Sequence, residues 1–153
     1  AKIRDIMKLQ FLWVGKTKNK HWLALQEEYL ERLSHFVKCE ITEIKEGPNK
    51  TEESNRILKC LNQKSFVVLL DEKGKAISSE ELAKQMEKWQ NLGLKEIIFI
   101  IGSHEGVTSE VAKRANFSLS LSVLTFTHEM ARVILLEQLY RAFTIMKGFP
   151  YQK

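Results

Sequence analysis

The stretch from Ile97 to Tyr151 constrains the fold more than any other part of this chain. It reads IIFIIGSHEGV, then SLSLSVLTFTHEMARVILLEQLYRAF, then GFPYQK. A continuous apolar run ending in a glycine turn marks a strand buried on both faces, as happens where helices cover both sides of a parallel sheet. A second β-rich run, Phe117–Ser122, leads through a loop to His128, where a helix begins and runs to Met146. Met130, Val133, Ile134, Leu135, Leu136, Leu139, Tyr140, Phe143, Ile145 and Met146 cover nearly the whole circumference of that helix. A helix apolar all round is buried all round. A sheet covers one side of it, so the other side is expected to face a second copy of the chain.

The preceding residues repeat the strand-then-helix alternation. Lys8–Gly15 reads as a strand, and Trp22, Leu25, Tyr29, Leu33 and Phe36 place an amphipathic helix over His21–Phe36. Cys39–Ile44 alternates as a strand, Gly47-Pro48-Asn49 is a turn, and Thr51–Leu61 is a helix. SFVVLL (Ser65–Leu70) is a second doubly buried strand, followed by a charged glycine loop, Asp71–Lys75. Ser78 and Glu81 form a capping box for a helix through Trp89 that Gly93 closes, Glu96–Ile101 is the next strand, and Thr108 caps a short helix to Ala115. Strands alternating with helices give one α/β domain with a mostly parallel sheet.

Composition narrows the class. The 153 residues suffice for one domain with a real core, the make-up (44% hydrophobic, 28% charged) is ordinary for a soluble globular protein, and a cytoplasmic location is expected. No apolar run reaches a membrane span and no secretory layout opens the chain. Cys39 and Cys60 lack metal-ligand spacing, so idle thiols are expected and no metal. Residues 1–6 precede MKLQFLWVG, which looks like a natural start, and are expected to be an appended remnant carrying a net +1 of the +5 charge. The remaining excess permits an anionic partner without demonstrating one. Lys16, Lys18, Lys20, Lys73 and Lys75 are candidates for phosphate contacts, although solvated loops are the commoner explanation.

Gly102-Ser-His-Glu-Gly106 joins a strand to a helix, where α/β proteins bind ligands, but it matches no phosphate loop. Taken alone, its glycines are turn chemistry. IIFIIGSHEG, the SLSLSVLTFTHEMARVILLEQLYRAF block and the terminal Pro-Tyr together resemble the RlmH family, small SPOUT-class methyltransferases acting on N3 of a pseudouridine in large-subunit ribosomal RNA. The resemblance runs from Met7 to the end of the chain, and its most specific part is TFTHEMARVILLEQLYRAF. It implies a single SPOUT domain over 7–153 with a trefoil-knotted C-terminal half, S-adenosylmethionine as cofactor, a homodimer completing the active site, and the assembled ribosome as substrate. The cofactor contacts it implies are Leu70, Gly102, Leu121, Ser122, Val123, Leu124, Thr125 and Phe126.

Adenosylmethionine carries a sulfonium cation and no phosphate, so backbone groups in tight turns and apolar walls suit it better than a phosphate loop. His128 and Arg132, four apart on one helical face, are expected as base or target-orienting group and as anion stabiliser or phosphate anchor. Tyr151 stands where the resemblance implies a residue reaching the active site, in its own or the partner subunit, and Glu137 and Arg141 read as a structural ion pair. Three departures from the family pattern stand out: Ser103 for a second glycine, Thr127 for proline, and Gln152 for histidine. The last motivates a rival reading as a catalytically weakened, cofactor- or ribosome-binding homologue. Methylation of another RNA, such as tRNA, is the rival among enzymes.

Overall fold

The computed structural model describes residues 7–151; the proposed remnant at 1–6 and the Gln152 substitution lie outside the described residues. Five strands, β1 (Lys8–Val14), β2 (Lys38–Ile44), β3 (Phe66–Ala76), β4 (Glu96–Ile101) and β5 (Phe117–Ser120), form one sheet in the order β2-β1-β4-β3-β5. Every pairing is parallel. The helices are α1 (Lys20–Ser34), α2 (Lys50–Lys59), α3 (Ser79–Asn91), α4 (Ser109–Arg114) and α5 (His128–Lys147).

Strand alternation divides the core in two. Leu9, Phe11, Trp13, Val68, Ile97, Phe99 and Leu119 point to one face, where Leu33 of α1, Met86 and Trp89 of α3, and Leu135, Leu136 and Leu139 of α5 cover them. Leu12, Val14, Val67, Leu69, Ile98 and Ile100 point to the other, against Ile57 of α2 and Val111 of α4. Phe11 and Phe99, in register on β1 and β4, stack with centroids 5.6 Å apart. The continuous apolar runs of β3 and β4 therefore reflect helices on both faces.

Several expectations are adjusted. Leu25 is 39% exposed, and the inward position of α1 is taken by Gln26, whose Oε1 accepts a bond from Thr17 Oγ1 at 2.6 Å. Apolar spacing alone misses this because a satisfied amide can occupy a core position. The charged segment after Leu70 is not a free loop. β3 pairing with β5 breaks after Leu70 and resumes at Lys75 and Ala76, and a Cβ on Gly74 would lie 2.7 Å from the Ser118 backbone. Thr108 occupies the N-cap position of α4 without a side-chain capping bond; its N–H instead donates to Ser54 Oγ at 3.0 Å. The fifth strand ends at Ser120, where Ser120 Oγ donates to Ser122 O and Ser122 Oγ accepts from Leu124 N, turning the chain.

α5 is enclosed differently from the expectation. It lies in the groove between α1 and α3, so its own chain covers much more of it than the sheet alone would. Ile145 and Phe149 remain exposed and Ile134 is half-buried, leaving a narrower apolar strip. Among the described residues no helix is long and apolar enough to cross a membrane, and no cluster of His, Cys, Asp or Glu could hold a metal ion. Cys39 is half-buried, with its thiol pushed up to about 12 by burial, and Cys60 is exposed; both are free.

Candidate cofactor cavity at the strand ends

A cavity of about 830 Å³ opens beyond the end of β4, between the stretch of β3 that has left its pairing with β4 and the segment after β5. Leu70, Asp71 and Glu72 line it from β3, and Ile101 leads into the Gly102–Gly106 turn from β4. Leu121, Ser122, Leu124, Thr125 and Phe126 line it from the segment after β5, and Thr127, His128 and Ala131 from the start of α5. Parallel strands end on the same side of a sheet, so three distant pieces of sequence converge here.

Each wall has a local cause. Gly106 adopts φ +81° and its N–H bonds Ser103 O at 2.8 Å, closing the turn. A Cβ on Gly102 would come within 2.9 Å of Val107 Cγ1 and 3.0 Å of Gly106 O, so glycine is needed for the turn to fold back upon itself. Thr125 Oγ1 donates to Glu72 Oε2 at 2.6 Å, fastening the two long walls across the opening. Thr127 caps α5 by accepting from Met130 N at 3.3 Å, a contact that proline in its place would not make.

Of the expected cofactor contacts, Leu70, Gly102, Leu121, Ser122, Leu124, Thr125 and Phe126 line this cavity together. Val123 does not: it is 81% exposed and lies outside the lining. Asp71, Glu72, Ser103, His104 and Glu105, which are not among the expected cofactor contacts, line it as well. Their signal was position, at the carboxyl ends of the two doubly buried strands. The lining contains three carboxylates and two histidines but neither lysine nor arginine. Such a wall repels phosphates and suits a ligand with a positive centre, an apolar ring and groups for backbone hydrogen bonds.

His128 is half-buried in the cavity wall, and burial, then the nearby Arg132 charge, hold its imidazole below the ordinary 6.5 against the opposing pull of Glu129. The neutral ring is therefore the dominant form near pH 7, and it can accept a proton.

Arg132 does not line the cavity. Its side chain is wholly buried; Nη1 donates to Thr17 Oγ1 at 2.8 Å, and Nη2 to Val14 O at 2.7 Å and Gly15 O at 3.1 Å. The guanidinium also sits over the Trp13 ring, 5.2 Å from its centroid. It locks the loop between β1 and α1 onto α5. Glu129 reinforces that lock by accepting from the Lys18 and Asn19 N–H groups. The exposed Lys16, Lys18 and Lys20 lie on this loop or at the helix start it leads into, and Lys18 Nζ is 3.6 Å from Glu46.

Tyr151 lies elsewhere. Its hydroxyl donates to Glu137 Oε2 at 3.0 Å, its ring packs edge-on against Tyr140, and Arg141 lies over it, 4.5 Å from the centroid. Burial, with Tyr29 and Glu137 adjoining, pushes the phenol well above its ordinary value. Glu137 and Arg141 do pair, as expected. Glu137 is nine positions beyond His128 on a continuous helix, about 14 Å along its axis. Tyr151 therefore does not reach the cavity of its own chain.

Known proteins bear on this geometry. A family described as "Predicted SPOUT methyltransferase" matches residues 7–152. A protein named Ribosomal RNA large subunit methyltransferase H in Christiangramia forsetii is 44% identical over 154 residues, spanning 95% of this chain and 98% of that one. One of the same name in Clostridium botulinum is 42% identical over 159 residues, spanning 96% and 100%. Among solved structures, the tRNA (m1G37) methyltransferase of Aquifex aeolicus is similar with a TM-score of 0.57 at 17% identity, over 88% of this chain and 69% of that one. A probable methylase family protein of Haemophilus influenzae gives 0.56 at 12% identity, over 96% and 70%. At those identities the structures speak for the fold alone, whereas the sequence matches reach from end to end: the chain is an α/β methyltransferase of the SPOUT family and belongs, within it, with the ribosomal RNA large subunit methyltransferases H.

Proposed function

We propose that this protein transfers the methyl group of S-adenosylmethionine to N3 of a pseudouridine in large-subunit ribosomal RNA, acting as a homodimer on the assembled ribosome. One observation carries the cofactor assignment: the cavity beside β3 and beyond the ends of β4 and β5 is apolar and acidic, without a lysine or arginine. Leu70, Ile101, Leu121, Leu124 and Phe126 would wall the adenosine, the Gly102–Gly106 turn would let backbone approach it, and Asp71, Glu72 and Glu105 complement a cation. Bound there, the cofactor supplies an electrophilic methyl on a sulfonium sulfur. The RNA assignment rests on the relatives' names and on the family resemblance.

The chain's own residues then have distinct tasks. His128, kept neutral, accepts the proton that leaves the target nitrogen, or orients that nitrogen by a hydrogen bond. Most of the acceleration comes from holding donor and acceptor in attack geometry. Arg132 contributes as a positioning residue, by fixing the loop between β1 and α1 and by biasing His128 toward its neutral form. Tyr151, remote from the cavity of its own chain, would complete the site of the partner subunit, the dimer covering the strip around Ile145 and Phe149. The trefoil threading of the C-terminal half is part of the same proposal.

The test is transfer of labelled methyl from S-adenosylmethionine to ribosomes, to free ribosomal RNA and to tRNA, each read after nuclease digestion. Label in a ribosomal methylpseudouridine is the expected result. Label confined to tRNA refutes the substrate, and calorimetric binding of ATP in preference to S-adenosylmethionine refutes the pocket.

A further inference from the structure

Two consecutive buried residues of α2 reach across to both ends of the turn that forms one cavity wall. Glu53 is 6% exposed and Ser54 is 1% exposed. Glu53 Oε1 accepts from Ser103 Oγ at 2.8 Å, at the start of the 103–108 segment. Ser54 Oγ accepts from Thr108 N at 3.0 Å, at its end. Glu53 Oε2 accepts from Gly47 N at 3.1 Å, which ties the same carboxyl group to the turn before α2. No lysine or arginine forms an ion pair with Glu53 among the described residues. A buried carboxyl group with so few partners is strongly directed by each.

We propose that Glu53 and Ser103 are positioning residues for the cofactor: the α2 brace fixes the pitch of the Gly102–Gly106 turn, so the backbone facing the cavity is held ready before the ligand arrives. This rests on the reading of the cavity as the S-adenosylmethionine site. Two features make the turn dependent on an outside support. It is closed internally by the single Ser103–Gly106 bridge, and His104, Glu105 and Gly106 are exposed. A preorganised wall raises affinity by reducing what must be ordered on binding.

Calorimetric titration of S-adenosylmethionine, with steady-state kinetics on ribosomes, tests the brace. Ser103→Ala and Glu53→Ala should each raise the cofactor Kd and KM about tenfold while kcat stays within about twofold, because neither touches the reacting atoms. Ser103→Thr, which retains the hydroxyl, should restore binding to within about threefold of wild type. The double variant Ser103→Ala/Glu53→Ala should bind no more weakly than the worse single variant, since both remove one bond. Affinity unchanged in Ser103→Ala, or losses that multiply in the double variant, would overturn the brace while leaving the cavity assignment standing. Failure of the wild-type chain to bind S-adenosylmethionine would remove the cavity assignment and the brace together. Should Glu53→Ala not fold, Ser103→Ala and its threonine rescue decide the matter alone.

Discussion

Replacing Arg132 separates a residue that meets the substrate from one that holds the scaffold. Its guanidinium is fully buried and hydrogen-bonded to two backbone carbonyls and one hydroxyl, and it stacks on Trp13. Hydrogen bonds from a charged donor are each worth about 1.5–3 kcal/mol, and the ring contact adds about 1 kcal/mol. Removing the cation also removes its desolvation cost, which offsets part of that sum. The net loss in Arg132→Ala is therefore about 3–4 kcal/mol, and for a domain of this size each kcal/mol lowers Tm by roughly 2–4 °C. Thermal unfolding followed by circular dichroism should show Tm falling by roughly 10 °C. Arg132→Met keeps most of the stem volume and loses the bonds, so it should fall nearly as far. Transfer should be lost in both, while cofactor affinity stays within about threefold, since Arg132 is absent from the cavity lining. A Tm within about 3 °C of wild type in both variants would refute the locking role and return Arg132 to direct contact with substrate.

Gly102→Val should weaken S-adenosylmethionine binding by well over tenfold, because its Cβ would meet Val107 Cγ1 at 2.9 Å and the Gly106 carbonyl at 3.0 Å; unchanged calorimetric affinity would contradict it. His128 has a folded-state pKa below its free value, so protonation is disfavoured in the fold and kcat/KM should hold level through neutrality and fall only as pH drops below about 6.5. The same sign means that this group's protonation destabilises the fold at low pH; an acid limb unaltered in His128→Gln would exclude His128 as its source. Mixing inactive His128→Ala and Tyr151→Ala protomers should restore transfer to roughly a quarter of wild type if each site combines the two chains, and no recovery after subunit exchange would sink the shared site.

The sheet was legible because FVVLL (66–70) and IIFII (97–101) leave no polar residue to face water, so helices on both faces were required. Strand order was not, since nothing in the local pattern says that β4 inserts between β1 and β3. The exposed Leu25 and buried Gln26 show the limit of apolar spacing: Gln26 is placed by Thr17, whose other partner is Arg132, a residue more than a hundred positions away. In the cavity, the glycine turn and the 121–126 segment were recognisable through family resemblance. The acidic residues of the wall were not, because Asp71, Glu72 and Glu105 read as ordinary solvated charge until the strands bring them together.

The polar residues of α5 complete the account. On a largely apolar helix, His128, Glu129, Arg132, Glu137 and Arg141 each have a partner or a cavity to face, at one of two places along the axis. His128 faces the cavity, while Glu129 and Arg132 hold the loop between β1 and α1 from the same helical end. Nine residues on, Glu137 accepts bonds from Arg141, Gln138 and Tyr151, and Gln138 in turn accepts from Ser79 of α3. One end of the helix is thus committed to the cavity and the other to the tail, and a rigid rod keeps them about 14 Å apart. Were Tyr151 to act at a cavity, it would have to be that of a second chain, so the proposed dimeric unit rests more on the arrangement of charge on α5 than on its apolarity.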